Sequence, residues 1–135
     1  MTHNEGWYKL ELSVRDYEVD MEGVVNNAVY QNYLEHARHE YLKSIGINFA
    51  AMVEQGINMV LTRIELDYKW PLTSGDSFVI ELKPFKISPV RVGFYQNIYR
   101  LPDRRVIVKA IATGTALNKN GRPTLPKELH HILNI

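Results

Sequence analysis

One amphipathic segment, residues 28–45, most constrains the fold of this chain. Its apolar residues recur at three- and four-residue spacing while polar residues fill the other face, which predicts a long helix with one buried side. Gly46 follows directly and is typical of a helix end. Eighteen residues at about 1.5 Å each give a helix of roughly 27 Å, long enough to cross a whole β-sheet. Asn48 predicts the N-cap of a second, short helix that runs through Glu54 and ends at Gly56.

The remaining regular segments alternate apolar and polar residues, which is typical of half-buried β-strands. Strands are predicted over residues 8–14, 59–68, 78–87, 92–99 and 106–117. The turns at 73–76 and 101–104 are short and favour an antiparallel meander. Residues 126–135 are compatible with either a short helix or an extended cap. One long helix with about five strands indicates an α+β fold.

The composition limits the classes of function that are open to the chain. With 135 residues and 45% hydrophobic content, residues 1–135 are expected to form one domain with its own core. The absence of cysteine excludes disulfides, thiolate catalysis and zinc–thiolate sites, and it fits a cytoplasmic location. A net charge of +1 does not suggest nucleic-acid binding. No apolar run reaches membrane-spanning length and no export leader is evident, so no membrane partner is expected.

Asp20 is the strongest candidate for a catalytic residue. It ends a strand-like segment, and Gly23 and a pair of asparagines separate it from the start of the long helix. This order places a carboxylate beside the free N–H groups of a helix N-terminus, a pairing that suits carbonyl chemistry. Taken from the residues alone, Asp20 is more simply a turn residue, and Asn26 or Asn27 the N-cap of the helix.

The segment from Asp20 to Tyr30 resembles the active-site segment of hotdog-fold acyl-CoA thioesterases of the 4-hydroxybenzoyl-CoA type. In that family an aspartate precedes a Gly-Val pair and a tyrosine-containing helix. The likeness continues through residues 66–71 with 75–76, and through 121–123, and so covers nearly the whole chain. It implies a hotdog fold, in which a curved antiparallel sheet of about five strands wraps around one long central helix. It also implies a homodimer or homotetramer with active sites where two sheets join.

The resemblance gives Asp20 and Asn27 catalytic roles. The carboxylate would attack the acyl carbon directly, giving a mixed anhydride, or act as general base on a water, and the sequence does not choose between these routes. The backbone N–H of Asn27 would polarise the thioester carbonyl. Plant acyl-ACP thioesterases carry Asn and His where this chain has Glu22 and Val24, so an Asn-His mechanism of the plant type is not expected here.

The resemblance also implies where acyl-CoA would bind. Coenzyme A phosphates would meet Arg91, just after the third strand, with help from the backbone of Ser88 and Val90. Most other basic residues of the second half are expected to be solubilising. Four apolar or aromatic residues are candidates for the acyl pocket, although they are equally good core residues. They are Tyr30, Met59, Val60 and Leu61.

Other chemistries find little support in the sequence. His36 and His39 are three positions apart, not the four of a zinc-binding helix, and no third ligand is evident, so solvated, ion-paired side chains are expected over residues 35–40 and no metal. No cofactor is expected, because coenzyme A is part of the substrate. The leading hypothesis is an acyl-CoA thioesterase. An acyl-ACP thioesterase and a non-catalytic acyl-CoA-binding module are the alternatives, and Asp20 argues against the module.

Overall fold

The computed structural model describes residues 6–134. Six strands, three α-helices and one turn of 3₁₀-helix follow one another along these residues. In chain order they are β1 Tyr8–Ser13, the 3₁₀ turn Asp16–Glu18, α1 Asn27–Ser44, α2 Phe49–Glu54, β2 Asn58–Tyr68, β3 Ser77–Ser88, β4 Arg91–Leu101, β5 Val106–Leu117, β6 Pro123–Thr124 and α3 Lys127–Leu133. The predicted long helix and the five predicted strands are all present, with bounds that differ by at most two residues.

All strand pairs are antiparallel, and the strands lie in the order β1-β3-β4-β5-β2, with the two-residue β6 beside β5. The sheet curls around α1, so the predicted hotdog architecture is confirmed. Of the two structures compatible with residues 126–135, the helix is present, since α3 spans Lys127–Leu133 and buries Leu129 completely.

The predicted meander is correct for β3, β4 and β5 but wrong for β2, which lies beside β5 and not beside β3. The β2–β3 connection instead crosses the sheet near the start of α1. Leu72, in this connection, is fully buried. Its N–H donates to the Tyr30 hydroxyl at 2.9 Å, and its carbonyl accepts from the Val25 N–H at 2.9 Å. Because Leu72 is anchored in the core, the chain cannot fold straight back on β2 as a hairpin.

Helix α1 is placed by its N-cap and by its apolar face. The side chain of Asn26 accepts a hydrogen bond from the Ala28 N–H at 2.9 Å, which starts the helix one residue earlier than predicted. The apolar face divides the core into two clusters. Tyr30, Tyr33 and Leu34 pack in the first cluster, and Tyr41 and Leu42 pack in the second. The N-terminal end of α1 is thereby fixed against the loops that follow β1 and β2.

Candidate active site

Asp20 begins a tight turn between the 3₁₀ turn and α1. Its N–H donates to the Val24 carbonyl at 2.8 Å, and its carbonyl accepts from the Gly23 N–H at 3.0 Å. Gly23 has a φ of +82°, a conformation that glycine adopts without steric cost. Val19 and Val25 pair across the base of the turn as an isolated β-bridge. The loop that carries Asp20 is therefore a small closed structure.

The Asp20 carboxylate is oriented by its own turn. Oδ1 accepts from the N–H groups of Glu22 at 2.9 Å and Val24 at 3.4 Å, the pattern of an Asx turn. Among residues 6–134 no donor lies within hydrogen-bond distance of Oδ2, and the side chain is exposed. One oxygen therefore fixes the carboxylate while the other is open to a substrate or a water. The turn role and the reactive role are compatible.

The backbone N–H of Asn27, the first residue of α1, is an open donor. The Asn26 side chain takes the N–H of Ala28, and the Asn26 carbonyl accepts from Val29 at 2.9 Å. For the Asn27 N–H no acceptor is found in the part of the chain that the structure describes. A cavity of about 190 Å³ opens beside Asn27. Its walls are Val24, Val25, Asn27 and Tyr30 on one side and Tyr68, Lys69, Trp70 and Pro71 on the other.

Glu18 connects the Asp20 turn to α1, a role that no sequence pattern indicates. Its Oε1 accepts from the Tyr33 hydroxyl at 2.7 Å and from the Arg15 N–H at 2.8 Å. Its backbone carbonyl accepts from the Asn26 N–H at 3.1 Å. Burial of Tyr33, and secondarily its hydrogen bond to Glu18, raise the pKa of the phenol, so the hydroxyl stays a donor. One carboxylate thus holds both flanks of the candidate site.

Tyr30 lines the cavity and also makes a structural contact. Its side chain is only 2% exposed, and its hydroxyl accepts from the Leu72 N–H. Burial raises the pKa of this phenol, and the hydrogen bond with Leu72 offsets part of that increase. Tyr30 therefore lies within the core and presents only an edge to the space beside Asn27.

The other residues proposed from the sequence lie elsewhere in the chain. Val60 and Leu61 line a second cavity, of about 100 Å³, between the start of β2 and the middle of α1. Ser88, Val90 and Arg91 form the tip of the β3–β4 hairpin. The Thr115 hydroxyl, opposite Val60 in the sheet, donates to the Val90 carbonyl, which places this tip near the same end of β2.

Within one chain, the residues proposed to bind the acyl group and the nucleotide lie apart from Asp20 and Asn27. The Tyr68 hydroxyl, at the last residue of β2, donates to the Asn27 carbonyl at 3.3 Å, so Asn27 lies near the end of that strand. Val60 lies eight residues earlier, which is about 26 Å at 3.3 Å per residue. One end of β2 therefore lies near Asp20, Asn27 and Tyr30. The other end lies near the residues proposed to bind the acyl group and the nucleotide.

The prediction of solvated side chains over residues 35–40 is wrong for Arg38, whose exposed fraction is 9%. Its guanidinium donates to Gln96 Oε1 at 2.8 Å, and Gln96 Nε2 donates to the Leu34 carbonyl at 2.9 Å. Burial lowers the pKa of Arg38, against a smaller opposing effect of Glu35. A partner on β4 makes this burial possible, and helical periodicity carries no information about it.

Within residues 6–134 no group of three or more histidine, cysteine or acidic side chains is placed to hold a metal ion. In the same residues, no helix combines the length and apolarity needed to cross a bilayer.

Known proteins share this architecture and sequence pattern. The chain is 43% identical to the chloroplastic acyl-acyl carrier protein thioesterase ATL2 of Arabidopsis thaliana over 119 residues, which is 88% of this chain and 63% of that protein. It is 31% identical to a putative esterase of Aquifex aeolicus, covering 89% of this chain and 92% of the relative. The crystal structure of a 1,4-dihydroxy-2-naphthoyl-CoA thioesterase from Synechocystis superposes with a TM-score of 0.89 at 17% identity, over 96% of both chains.

The chain spans less than two thirds of the plant relative, so that protein contains sequence with no counterpart here. The match to the family model extends over residues 14–133 and includes the Asp20 turn, α1 and every strand from β2 to β6. The chain therefore belongs to the thioesterase-like superfamily.

Proposed function

We propose that this protein hydrolyses an acyl-CoA thioester to a carboxylic acid and coenzyme A. The observation that supports this most is the pairing, in one chain, of the open Oδ2 of Asp20 with the open N–H of Asn27. Thioester hydrolysis needs a base or nucleophile at the acyl carbon and a donor for the developing oxyanion. Glu18 holds both elements, so the pair is rigid before the substrate arrives.

Two routes use the same two groups. Asp20 can remove a proton from water while the resulting hydroxide adds to the carbonyl, and the intermediate then expels the thiolate, which takes up the proton. Alternatively, Asp20 adds directly, expels the thiolate and forms a mixed anhydride that water hydrolyses in a second step. In both routes the Asn27 N–H stabilises the oxyanion, and the reaction requires no cofactor beyond the coenzyme A of the substrate.

We also propose that the complete site needs a second copy of the chain. β2 lies at the edge of the sheet, and an antiparallel pairing of two β2 strands would bring the start of one beside the end of the other. Val60, Leu61 and Arg91 of a second copy would then approach Asn27 of the first. This arrangement would unite the two groups that lie near opposite ends of β2 in one chain.

An acyl carrier protein thioester is the second candidate substrate. The 43% identity to an acyl carrier protein thioesterase favours it. The chemistry at Asp20 would be the same, because coenzyme A and acyl carrier proteins present the acyl group on the same phosphopantetheine thiol. Only the contacts beyond the phosphate would differ.

The decisive experiment compares Asp20→Asn with Glu22→Gln. Asparagine keeps an Oδ1 for the Glu22 and Val24 N–H groups, so the turn should form, but it can neither attack nor act as a base. We expect kcat to fall at least about 10²-fold, the lower range for loss of a general base. Glu22→Gln, an exposed change in the same turn, should keep kcat near that of the wild type.

The assay is thiol release from CoA and acyl carrier protein thioesters of the same acyl groups, with thermal unfolding measured on each variant. A folded Asp20→Asn protein with normal turnover would disprove the catalytic assignment. Binding of every thioester by the wild type without any turnover would instead identify a binding module.

A further inference from the structure

The cavity beside Asn27 has an unusual outer wall, formed by Tyr68, Lys69, Trp70 and Pro71. Tyr68 and Trp70 are 48% and 45% exposed, although they are large aromatic side chains. The wall is held in place by β5, because the N–H groups of Lys69 and Trp70 donate to the Ile107 carbonyl at 2.8 and 3.3 Å. Two partly exposed aromatic side chains thus lie on a fixed backbone at the mouth of the candidate site.

Arg105 lies against this wall. Its guanidinium carbon is 3.8 Å from the centroid of the Trp70 ring, which is a close cation–π contact. A guanidinium in such a contact keeps the donors at its rim directed outward, in the geometry that suits an oxyanion. Arg105 is exposed, so these donors face solvent beside the cavity.

The cations at this wall differ in their pairing from the arginines nearby. The nearby arginines are paired, Arg100 with Asp103 at 2.6 Å and Arg104 with Glu81 at 3.0 Å. Among residues 6–134, no carboxylate lies within 4.0 Å of the charged groups of Arg105 or Lys69. Lys69 in the cavity wall, and Arg105 against Trp70 of that wall, are therefore cations without an ion-pair partner in the described part of the chain.

We propose that Lys69, Trp70 and Arg105, here termed the Trp70 shelf, bind the phosphopantetheine arm of the thioester substrate. The inference rests on the proposed function, since every CoA or acyl carrier protein thioester carries this arm. The part of the indole that stays exposed beside Arg105 would contact its apolar dimethyl segment, and the two cations would neutralise its phosphate. Within one chain the shelf is separate from Arg91, which lies at the other end of β2 and suits the nucleotide that only coenzyme A possesses. In the proposed two-copy site, Arg91 would come from the second copy.

This assignment is tested with substrates that are truncated stepwise from the nucleotide end. One acyl group is presented on coenzyme A, on 4′-phosphopantetheine, on pantetheine without phosphate, and on N-acetylcysteamine. We expect Arg105→Gln to raise KM about tenfold for the two thioesters that carry the phosphate, which is the loss of one charge-assisted contact, with kcat unchanged. KM for the pantetheine and N-acetylcysteamine thioesters should stay the same.

Trp70→Leu extends the test to the apolar segment. It should raise KM for the pantetheine thioester as well, but not for the N-acetylcysteamine thioester, which lacks the dimethyl group. Arg91→Ala should raise KM about tenfold for the coenzyme A thioester alone. Arg122→Gln, a change of another exposed arginine remote from the cavity wall, is the control and should leave all four KM values unchanged.

The outcomes separate the two proposals. If the wild type hydrolyses none of the four thioesters nor an acyl carrier protein thioester, the proposed function fails. If hydrolysis occurs but Arg105→Gln leaves KM unchanged, or raises it equally for all four, the shelf assignment is overturned. The wild type gives a check that does not depend on the folding of a variant, because equal KM for the phosphopantetheine and pantetheine thioesters also overturns it. The same tenfold loss with an acyl carrier protein thioester would show that the shelf serves both carriers.

Discussion

The Tyr33 hydroxyl donates to Glu18 Oε1 at 2.7 Å and joins the segment that carries Asp20 to the second turn of α1. The two residues are fifteen positions apart in sequence. Since the Asn27 N–H belongs to α1 and the Asp20 carboxylate to the preceding turn, this contact fixes the position of one relative to the other. A displacement of about 1 Å between catalytic groups can cost orders of magnitude in rate.

We expect Tyr33→Phe to lower kcat about tenfold while KM changes little. The substitution removes the donor but keeps the ring, which packs on Phe78 with centroids 4.7 Å apart. The unfolding free energy should fall by only about 1 kcal/mol, the usual contribution of one hydrogen bond. Steady-state kinetics and thermal unfolding on the same preparation measure both effects.

Glu18→Gln is the matched control for this contact. Its amide oxygen can still accept from Tyr33 and from the Arg15 N–H, so turnover should remain close to normal. Normal kcat in Tyr33→Phe, or an equally large loss in Glu18→Gln, would show that the contact does not position the site.

The buried tyrosines should make the protein sensitive to alkali. Burial raises the pKa of Tyr30, Tyr33 and Tyr41 above the ordinary value of 10.0. Above about pH 10 the unfolded chain loses these protons while the folded chain keeps them, so the unfolding free energy falls as the pH rises. Melting temperatures between pH 8 and 11 should decline, and the decline should be shallower in Tyr33→Phe.

Arg104→Met tests a charge pair on the opposite face of the sheet from α1. Glu81 is fully buried, and Arg104 donates to its Oε2 at 3.0 Å while stacking over the Tyr99 ring at 4.4 Å. Removing the cation takes the Arg104 charge-assisted hydrogen bond from a buried carboxylate, so we expect a loss of about 2 kcal/mol of unfolding free energy. Denaturant unfolding measures this loss.

The control is Lys43→Met, because Lys43 pairs with Glu40 at the surface of α1. An exposed pair of this kind contributes less than about 1 kcal/mol. Equal destabilisation by the two substitutions would mean that the Glu81 carboxylate does not depend on Arg104.

Leu61→Glu tests the need for a second chain. Leu61 is 48% exposed on the edge strand β2, where an acidic side chain would oppose pairing with another copy. We expect the wild type to sediment as a dimer or tetramer and the variant to shift toward the monomer. Turnover should fall with dissociation, because the proposed site takes residues from both chains.

Val53→Glu controls for added surface charge, since Val53 is 68% exposed on α2. A monomeric wild type with full activity would disprove the two-chain site. So would a monomeric Leu61→Glu variant that retains wild-type turnover.

The sequence predicts the regular elements well because they depend on local patterns. Periodicity locates α1 and the strands within two residues, and Asn26 and Asn48 act as helix caps as their types indicate. The position of β2 in the sheet could not be predicted from local patterns. Its partner was decided by Leu72, whose burial depends on the three-dimensional position of Tyr30 and Val25.

The candidate site was predictable to the extent that its chemistry lies in one short segment. Asp20 and Asn27 lie close together in sequence, and a family resemblance identifies them. Glu18 and Tyr33 hold that segment through a side-chain contact between separate elements, which no spacing rule describes. Helical periodicity places Arg38 on the solvated face of α1, because it cannot reveal Gln96 on β4.

The Asx turn at Asp20 also restricts how this protein can evolve. The side chain that would attack a thioester is the side chain that closes its own loop, so most replacements lose the activity and the loop together. Asparagine is the substitution that separates the two properties. A descendant that abandoned hydrolysis and kept ligand binding would therefore be expected to carry asparagine at position 20, and that single residue would mark the loss of the enzyme from sequence alone.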